Sequence, residues 1–499
     1  MRPFLVGLLL VAGITSLSAA TPARPNILFI VADDLNDWVG FLRGHPQTRT
    51  PNLDRLAARG VAFANASCAA SLCAPSRAAV FSGRAPFHTG AYDNGDDLRR
   101  LAPGLALLPQ HLKRHGYRTL GAGKLTHQGR PDLYDASFFP EQRWSPFDAR
   151  KVNYTPAELP SKITADPRHV ITLADGRTVT LPLNRIPSDR RPKDPAAESF
   201  DWGPVDVPDS AMGDTQIADW AIGHLAAPSV EPFFLGVGFY RPHIPLFAPA
   251  KYFAPFPPEK ITLPPHLQTD LDDLSATGRK IALEAATAGS HATVLQQRQW
   301  QNAVAAYLAC VHYVDAQVGR LLDALDAGPH ADNTLIVFFG DHGWHLGEKD
   351  HWGKWTGWER AVRVPLVVAP ARRDRARFAV GSISQQPVSL LDLYPTLTEA
   401  AGVPAPAHPL DGQSLVPLLR TPDAATGRAV VSTFQTSHHS VRDVRWRYLR
   451  YADGSEELYD LKADANEWRN LAAEPAHAAV KARLAGALPK AESVRPPSR

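Results

Sequence analysis

The chain predicts an α/β fold: a large, mostly parallel sheet flanked by helices, with a small antiparallel subdomain at the carboxyl-terminal end. Three observations lead there. Several apolar runs of strand length are continuous rather than alternating, as in strands buried on both faces. Helical patterns fall between them, the arrangement of a parallel sheet with crossover helices. From about residue 421 the texture changes to alternating segments divided by a turn signal.

The first run is Asn26 to Ala32 (NILFIVA), which ends in Asp33-Asp34. Asn52 to Arg59 and Leu105 to His115 carry helical patterns, the second stopped by Gly116. Residues 140–210 are rich in Pro, Asp and Arg and weakly periodic, and read as a long surface excursion. Phe233 to Phe239 (FFLGVGF) is a second buried run, followed by Tyr240-Arg241-Pro242-His243. Gln301 to Leu325 is the longest helical pattern, with Val304, Leu308, Val311, Val314, Val318, Leu321 and Leu325 on one face. Thr334 to Phe339 (TLIVFF) runs into Gly340-Asp341-His342-Gly343, and Val364 to Ala369 is a fourth run. Near the end, Trp446 to Tyr451 alternates, Asp453-Gly454 signals a hairpin turn, and Glu457-Leu458-Tyr459 resumes the strand. A terminal helix is expected near Pro475 to Leu488, with Pro489 to Arg499 frayed beyond it.

A length of 499 residues suits one large domain and a smaller one, divided here as 21–420 and 421–499. Residues 1–20 read as a signal peptide: Arg2, the apolar stretch Phe4 to Val11, and the small-residue site Ser18-Ala19-Ala20. That stretch is too short to span a bilayer, and the mature chain contains no other candidate span. Export to a periplasm or to the cell exterior is expected. A net charge of +3 without a compact Lys/Arg block argues against a nucleic-acid partner. Three cysteines cannot form a disulfide framework. The plainest pairing joins Cys68 to Cys310 and leaves Cys73, a thiol that is either inert or a tool.

Ligands of open α/β sheets gather beyond the carboxyl ends of the strands, so Asp33-Asp34, His243 and Asp341-His342 are expected on one rim. Two adjacent carboxylates after a strand can be no more than a turn or a helix cap. A second acidic pair changes the balance, because three carboxylates on one rim repel unless a cation lies between them. Oxygen ligands favour Ca²⁺ or Mg²⁺, and the imidazole of His342 keeps zinc or manganese open.

The segment Cys73-Ala74-Pro75-Ser76-Arg77, with Phe81-Ser82-Gly83-Arg84 after it, resembles the signature of the type I sulfatases, in which the cysteine becomes a formylglycine. The resemblance runs from Pro25 to about Leu471. Asn26 to Asp34 looks like that family's opening metal strand, and Thr50 to Ala57 like its first helix. Gly121 to His127 is similar to its Gly-Lys-x-x-His loop, and Gly340 to Gly343 to its second metal pair. Glu457 to Leu461, with Asn470-Leu471, resembles its carboxyl-terminal signature. Phe239 to Pro245, His342, Gly347 to Lys354 and Cys68 fit the iduronate-2-sulfatase branch.

The resemblance implies an alkaline-phosphatase-like fold and a sulfuric ester hydrolase. Asp33, Asp34, Cys73, Asp341 and His342 would hold one divalent metal, Ca²⁺ in the first instance. Arg77 would support the charged nucleophile, and Lys124 and Lys354 the sulfate oxygens. His243 would protonate the leaving alkoxide and His127 would act as the base in sulfate release. The implied partners are a sulfated sugar, such as a 2-O-sulfated uronic acid in a polysaccharide, and a formylglycine-generating maturation enzyme. Rival readings are a phosphate-ester or phosphonate hydrolase of the same fold and a non-catalytic glycan-binding homologue. A cysteine protease would leave both acidic pairs unexplained.

Overall fold

The structure, a computed structural model, describes residues 24–143, 145–148, 150–155, 170–182, 200–285 and 289–493. The expected signal peptide lies outside the described residues. The main sheet has eight strands: β1 (Asn26–Ala32), β2 (Val61–Ser67), β3 (Arg118–Gly123), β4 (Ala136–Phe138), β5 (Phe233–Phe239), β6 (Thr334–Gly340), β7 (Leu366–Ala369) and β8 (Ser382–Ser389). Their spatial order is β8-β2-β7-β6-β1-β5-β3-β4. All neighbours pair in parallel except those of β7, which runs against both β6 and β2. The sheet is therefore mixed and mostly parallel, with the carboxyl ends of β6, β1, β5 and β3 side by side.

The continuous apolarity of β1 has a direct cause. Ile27, Phe29 and Val31 enter one core, and Leu28, Ile30 and Ala32 enter the other. Phe29 shows the packing on the first face: its ring lies 5.0–5.7 Å from those of Phe81, Phe234 and Phe339. Burying such a side chain contributes ~2–3 kcal/mol. Helix α1 (Pro51–Ala58), helix α3 (Gly213–Ala226) and the long helix α4 (Trp300–Ala327) cover the second face. Helix α2 (Cys73–Ser82) covers the first, placing Val80 and Phe81 against Phe29. Among the described residues no helix is long and apolar enough to cross a membrane.

Four strands, β9 (Val430–Gln435), β10 (His438–Arg442), β11 (Trp446–Arg450) and β12 (Glu456–Asp460), form the expected antiparallel sheet in sequential order. Gly454 (φ +84°) makes the turn between the last two. The sheet joins the larger unit through the amide of Thr433, which donates to the carbonyl of Ala69 at 2.9 Å.

Four expectations need correction. Cys68 and Cys310 do not pair: all three cysteines are free and buried. Cys68 belongs to the core on one face of the main sheet and Cys310, on α4, to the core on the other, so the sheet stands between them. Residues 140–210 are not wholly a surface excursion. They include a three-stranded sheet (Asn153–Thr155, Val170–Thr172, Thr178–Thr180), and Phe147 and Ile171 are fully buried in the main core. Residues 156–169 and 183–199 lie outside the described residues. Strand β11 alternates in polarity but not in burial. Trp446 and Tyr448 face one small core, Leu449 faces another, and Arg447 is buried between Glu359 and Glu467. Finally, the tail is docked as far as Ser493, whose amide donates to the carbonyl of Phe87, while Glu492 pairs with His439 at 2.9 Å.

Candidate active site

The backbone itself ties the four strand ends together. The amide of Asp341 donates to the carbonyl of Ala32, that of Asp33 to Phe239, and that of Lys124 to Gly238. The close approach near Lys124 requires glycine. Gly123 adopts φ +69°, and a Cβ there would lie 2.0 Å from the carbonyl oxygen of Gly238. Asp34, also left-handed at φ +61°, turns the chain immediately after β1.

Cys73 is the first residue of α2, where unpaired helix amides and the helix dipole favour a negative group. Its Sγ lies 3.0 Å from Lys354 Nζ, 3.3 Å from His342 Nε2, 3.6 Å from Lys124 Nζ and 4.0 Å from Asp34 Oδ1. All of these groups are buried. Burial and the Asp33 carboxylate oppose ionisation of the thiol, yet Lys124, Lys354 and His342 hold it well below the ordinary thiol range. Around Cys68 and Cys310 burial prevails over the single arginine that acts on each, Arg447 and Arg241, and pushes both thiols up, that of Cys310 to about 12.

The acids are arranged around this sulfur. Lys124 pairs with Asp33, and Lys354 reaches Asp34 Oδ1 at 2.6 Å. Arg77 donates to Asp341 at 2.7 Å, to Asp33 at 3.2 Å and to the carbonyl of Lys124. Its hydrogen bonds thus brace the two acidic pairs, a more specific task than the general support for the nucleophile expected of it. Burial penalises Asp33, but Lys124, His243 and Arg77 hold its carboxyl well below the usual range. Burial raises Asp34 to about 7 in spite of Lys354, with Asp33 and Cys73 adding to the rise.

Ligand atoms of Asp33, Asp34, Cys73 and His342 all lie within 4.8 Å of one another. Two features make this donor set fit a cation. Asp34 Oδ2 is buried without a hydrogen-bond partner among the described residues. His342 Nδ1 faces the carbonyl of Gly343 at 3.0 Å, so Nδ1 carries a hydrogen, and Nε2, turned towards Cys73 and Asp34, is the nitrogen that would meet a cation once it gives up its own proton. Asp341 stands beside this group. Its Oδ1 accepts from the amides of Asp34 (3.1 Å) and His342 (3.0 Å), and its Oδ2 accepts from Arg77.

The two remaining histidines differ in setting. His243 is buried, with Nδ1 2.5 Å from the carbonyl of Ile244, so that Nδ1 donates. Burial and Lys124 hold its pKa well below the ordinary value, so it is neutral in this state. His127 is half-buried at the end of the loop after β3, and burial lowers it too. Sequence reasoning did not single out Asp214 or Arg241. Asp214 accepts from the amides of Tyr240 (2.9 Å) and Arg241 (3.0 Å), and Arg241 donates to the carbonyl of His243 at 2.7 Å. The Tyr-Arg-Pro-His segment offered a signal for Arg241. Asp214 sits in the first turn of α3, where an acid reads as no more than a helix-start residue, and offered none. A cavity of about 460 Å³ lies away from this chemistry, at the seam with the C-terminal sheet, and none of the residues named for the site lines it.

A buried thiol at a helix start, ringed by cations and set among side chains that could hold a metal ion, is an arrangement suited to the hydrolase class. The comparisons with known proteins narrow the class. The sulfatase family model matches residues 25–403, and the model of the N-sulphoglucosamine sulphohydrolase C-terminal region matches residues 347–493. A sulfatase of Formosa agariphila is 35% identical, over 90% of this chain and 83% of its own. Iduronate 2-sulfatase of Homo sapiens is 31% identical, over 80% of this chain and 74% of its own. A phosphonate monoester hydrolase of Agrobacterium radiobacter shares the fold, with a TM-score of 0.71 at 23% identity, over 93% of this chain and 94% of that one. The chain belongs to the sulfatase family and is a sulfuric ester hydrolase.

Proposed function

We propose that this enzyme removes sulfate from sulfated sugars through a formylglycine made from Cys73. The observation that carries the reading is the convergence of two lysines, a histidine and two buried carboxylates on Cys73, the first residue of the Cys-Ala-Pro-Ser-Arg segment. Cys73 and Ser76 are fully buried and Arg77 nearly so, so a maturation enzyme must read this segment before the chain folds. Hydrated, the aldehyde supplies one hydroxyl to attack sulfur and a second whose deprotonation expels sulfate. A divalent metal, Ca²⁺ in this proposal, would polarise a sulfate oxygen when held by Asp33, Asp34, Asp341, His342 and residue 73.

The chain's own residues do the rest. Lys124 and Lys354, already on the nucleophile, would bind the sulfate oxygens and offset the charge that moves onto them in the transition state. Arg77 would keep the two acidic pairs in register. His127, neutral because burial lowers its pKa, is suited to take the proton in sulfate release. His243 would be the acid for the leaving alkoxide. Since it is neutral with its Nδ1 hydrogen engaged, it must gain a proton as an anionic substrate approaches.

For the substrate we propose a 2-O-sulfated uronic acid within a sulfated polysaccharide. The support is the likeness to iduronate 2-sulfatase together with the segments Phe239 to Pro245 and Gly347 to Lys354. Secretion or delivery to a periplasm completes the proposal. The fold shared with the phosphonate hydrolase favours a second reading, hydrolysis of phosphonate or phosphate monoesters. Matured enzyme assayed on sulfated disaccharides, an aryl sulfate and a phosphonate monoester separates them. Sulfate release from a 2-O-sulfated uronide in the leading position is expected. Turnover of the phosphonate alone would overturn the proposal.

A further inference from the structure

We infer that Tyr307 on α4 is a positioning residue for the metal cradle, holding Asp34 in the conformation that turns its carboxylate inward. The inference rests on the reading that Asp34 is a metal ligand. Asp34 follows β1 at φ +61°, a region that residues with a side chain seldom adopt unless their surroundings enforce it. Its peptide groups are fixed from both sides. The amide donates to Asp341 Oδ1 at 3.1 Å. The carbonyl accepts from the Tyr307 hydroxyl at 2.7 Å.

The direction of that second bond is determined. The Tyr307 oxygen also accepts from the amide of Asn36 at 3.0 Å. A backbone amide can only donate and a carbonyl can only accept, so the hydroxyl hydrogen must point at Asp34. Asn36 carries the brace further. Its Oδ1 accepts from the amide of Trp38 and its Nδ2 donates to the carbonyl of Trp344, both at 3.0 Å. The chain after Asp33-Asp34 and the chain after Asp341-His342 are thereby joined through one buried asparagine and one buried tyrosine. The ring of Tyr307 packs edge-on against Trp38 at 5.4 Å, so the phenyl group has its own reason to stay in place when the hydroxyl is removed.

Tyr313, on the same helix and equally buried, provides an internal comparison. Its hydroxyl bonds to that of Thr215, on α3, at 2.8 Å. Removing either hydroxyl leaves a buried polar partner unmet. Only the Tyr307 partner is the backbone of a metal-cradle residue.

The test compares wild type, Tyr307→Phe and Tyr313→Phe by isothermal titration of chelator-treated protein with Ca²⁺, and with Mn²⁺ as a second probe. Thermal unfolding is recorded in excess chelator. Both variants should lose similar stability without metal. Tyr307→Phe alone should bind the cation about tenfold more weakly, ~1.4 kcal/mol. Its kcat should fall at saturating metal while KM changes little. Equal affinities for wild type and Tyr307→Phe would overturn the inference, and so would equal weakening in both variants. If Tyr307→Phe does not fold, Asn36→Asp replaces it, since it removes the bond to Trp344 and keeps an acceptor for Trp38. Wild type that binds neither cation would overturn the metal reading itself, a failure distinct from the other two.

Discussion

Two regions of this molecule each bury a histidine that its surroundings shift in opposite directions. At the catalytic rim His342 is completely buried, yet Asp341 overcomes burial and raises it to about 9. In the aromatic wall formed by Trp300 and Trp352, His291 is almost as buried, and there burial prevails and pushes it to about 4. The Trp352 indole donates to His291 Nδ1 at 2.8 Å, a bond that an imidazolium could not accept. The cysteines repeat the lesson: Cys68 and Cys73 are equally buried, and only the second is surrounded by cations. Burial alone makes a group inert. Burial among fixed opposite charges makes it reactive, and that is the signature of the rim.

The largest expected effect follows from the rim's centre. Cys73→Ala should reduce sulfate release by at least about 10³-fold, because the proposed nucleophile and metal ligand would be lost together. Cys68→Ala should retain nearly full activity and lose about 1 kcal/mol of stability. Parallel loss of activity in both variants would break the contrast between them. Next in size, Lys354→Ala should lower kcat by ~10²–10³-fold, as removal of one charge-stabilising group does elsewhere. A change confined to KM would make Lys354 a binding residue only.

His243→Ala sharpens the rim by leaving group. Loss of ~10²-fold is expected on a sugar sulfate, whose alkoxide needs a proton. An aryl sulfate, whose phenolate does not, should be affected far less. Equal losses on both substrates would remove His243 from the acid role.

The smallest effect belongs to the aromatic wall. The folded-state pKa of His291, about 4, lies below its ordinary 6.5. Its contribution is therefore fully present above pH 6.5 and is lost as pH falls from there through 4, by ~3 kcal/mol at most. Thermal melts in chelator at pH 7.5 and 4.5 should show wild type losing more stability than His291→Gln. An identical pH response would contradict the assignment.

Much of the rim was legible in the sequence because its physics is local to each strand. A run buried on both faces must be apolar throughout, so the polar residues that end it, Asp33-Asp34 and Asp341-His342, stand out. Tyr307 did not stand out. It occupies a position in the apolar stripe of a long helix, between Val304 and Leu308, where an aromatic residue reads as core. The pairing of Cys68 with Cys310 failed because spacing along a chain says nothing about which face of a sheet each thiol enters. The burial of the second face of β11 was missed for a related reason. Arg447 looks like a solvent-facing residue until Glu359 and Glu467, distant in sequence, are seen to meet it.

The central claim, that Cys73 is the precursor of the nucleophile, is tested most directly by mass spectrometry of the tryptic peptide spanning residues 60–77. The preparation should come from a host able to modify another sulfatase and should be shown to release sulfate. The account predicts that residue 73 in active protein is an aldehyde or its hydrate. Active protein in which Cys73 retains its thiol would contradict it.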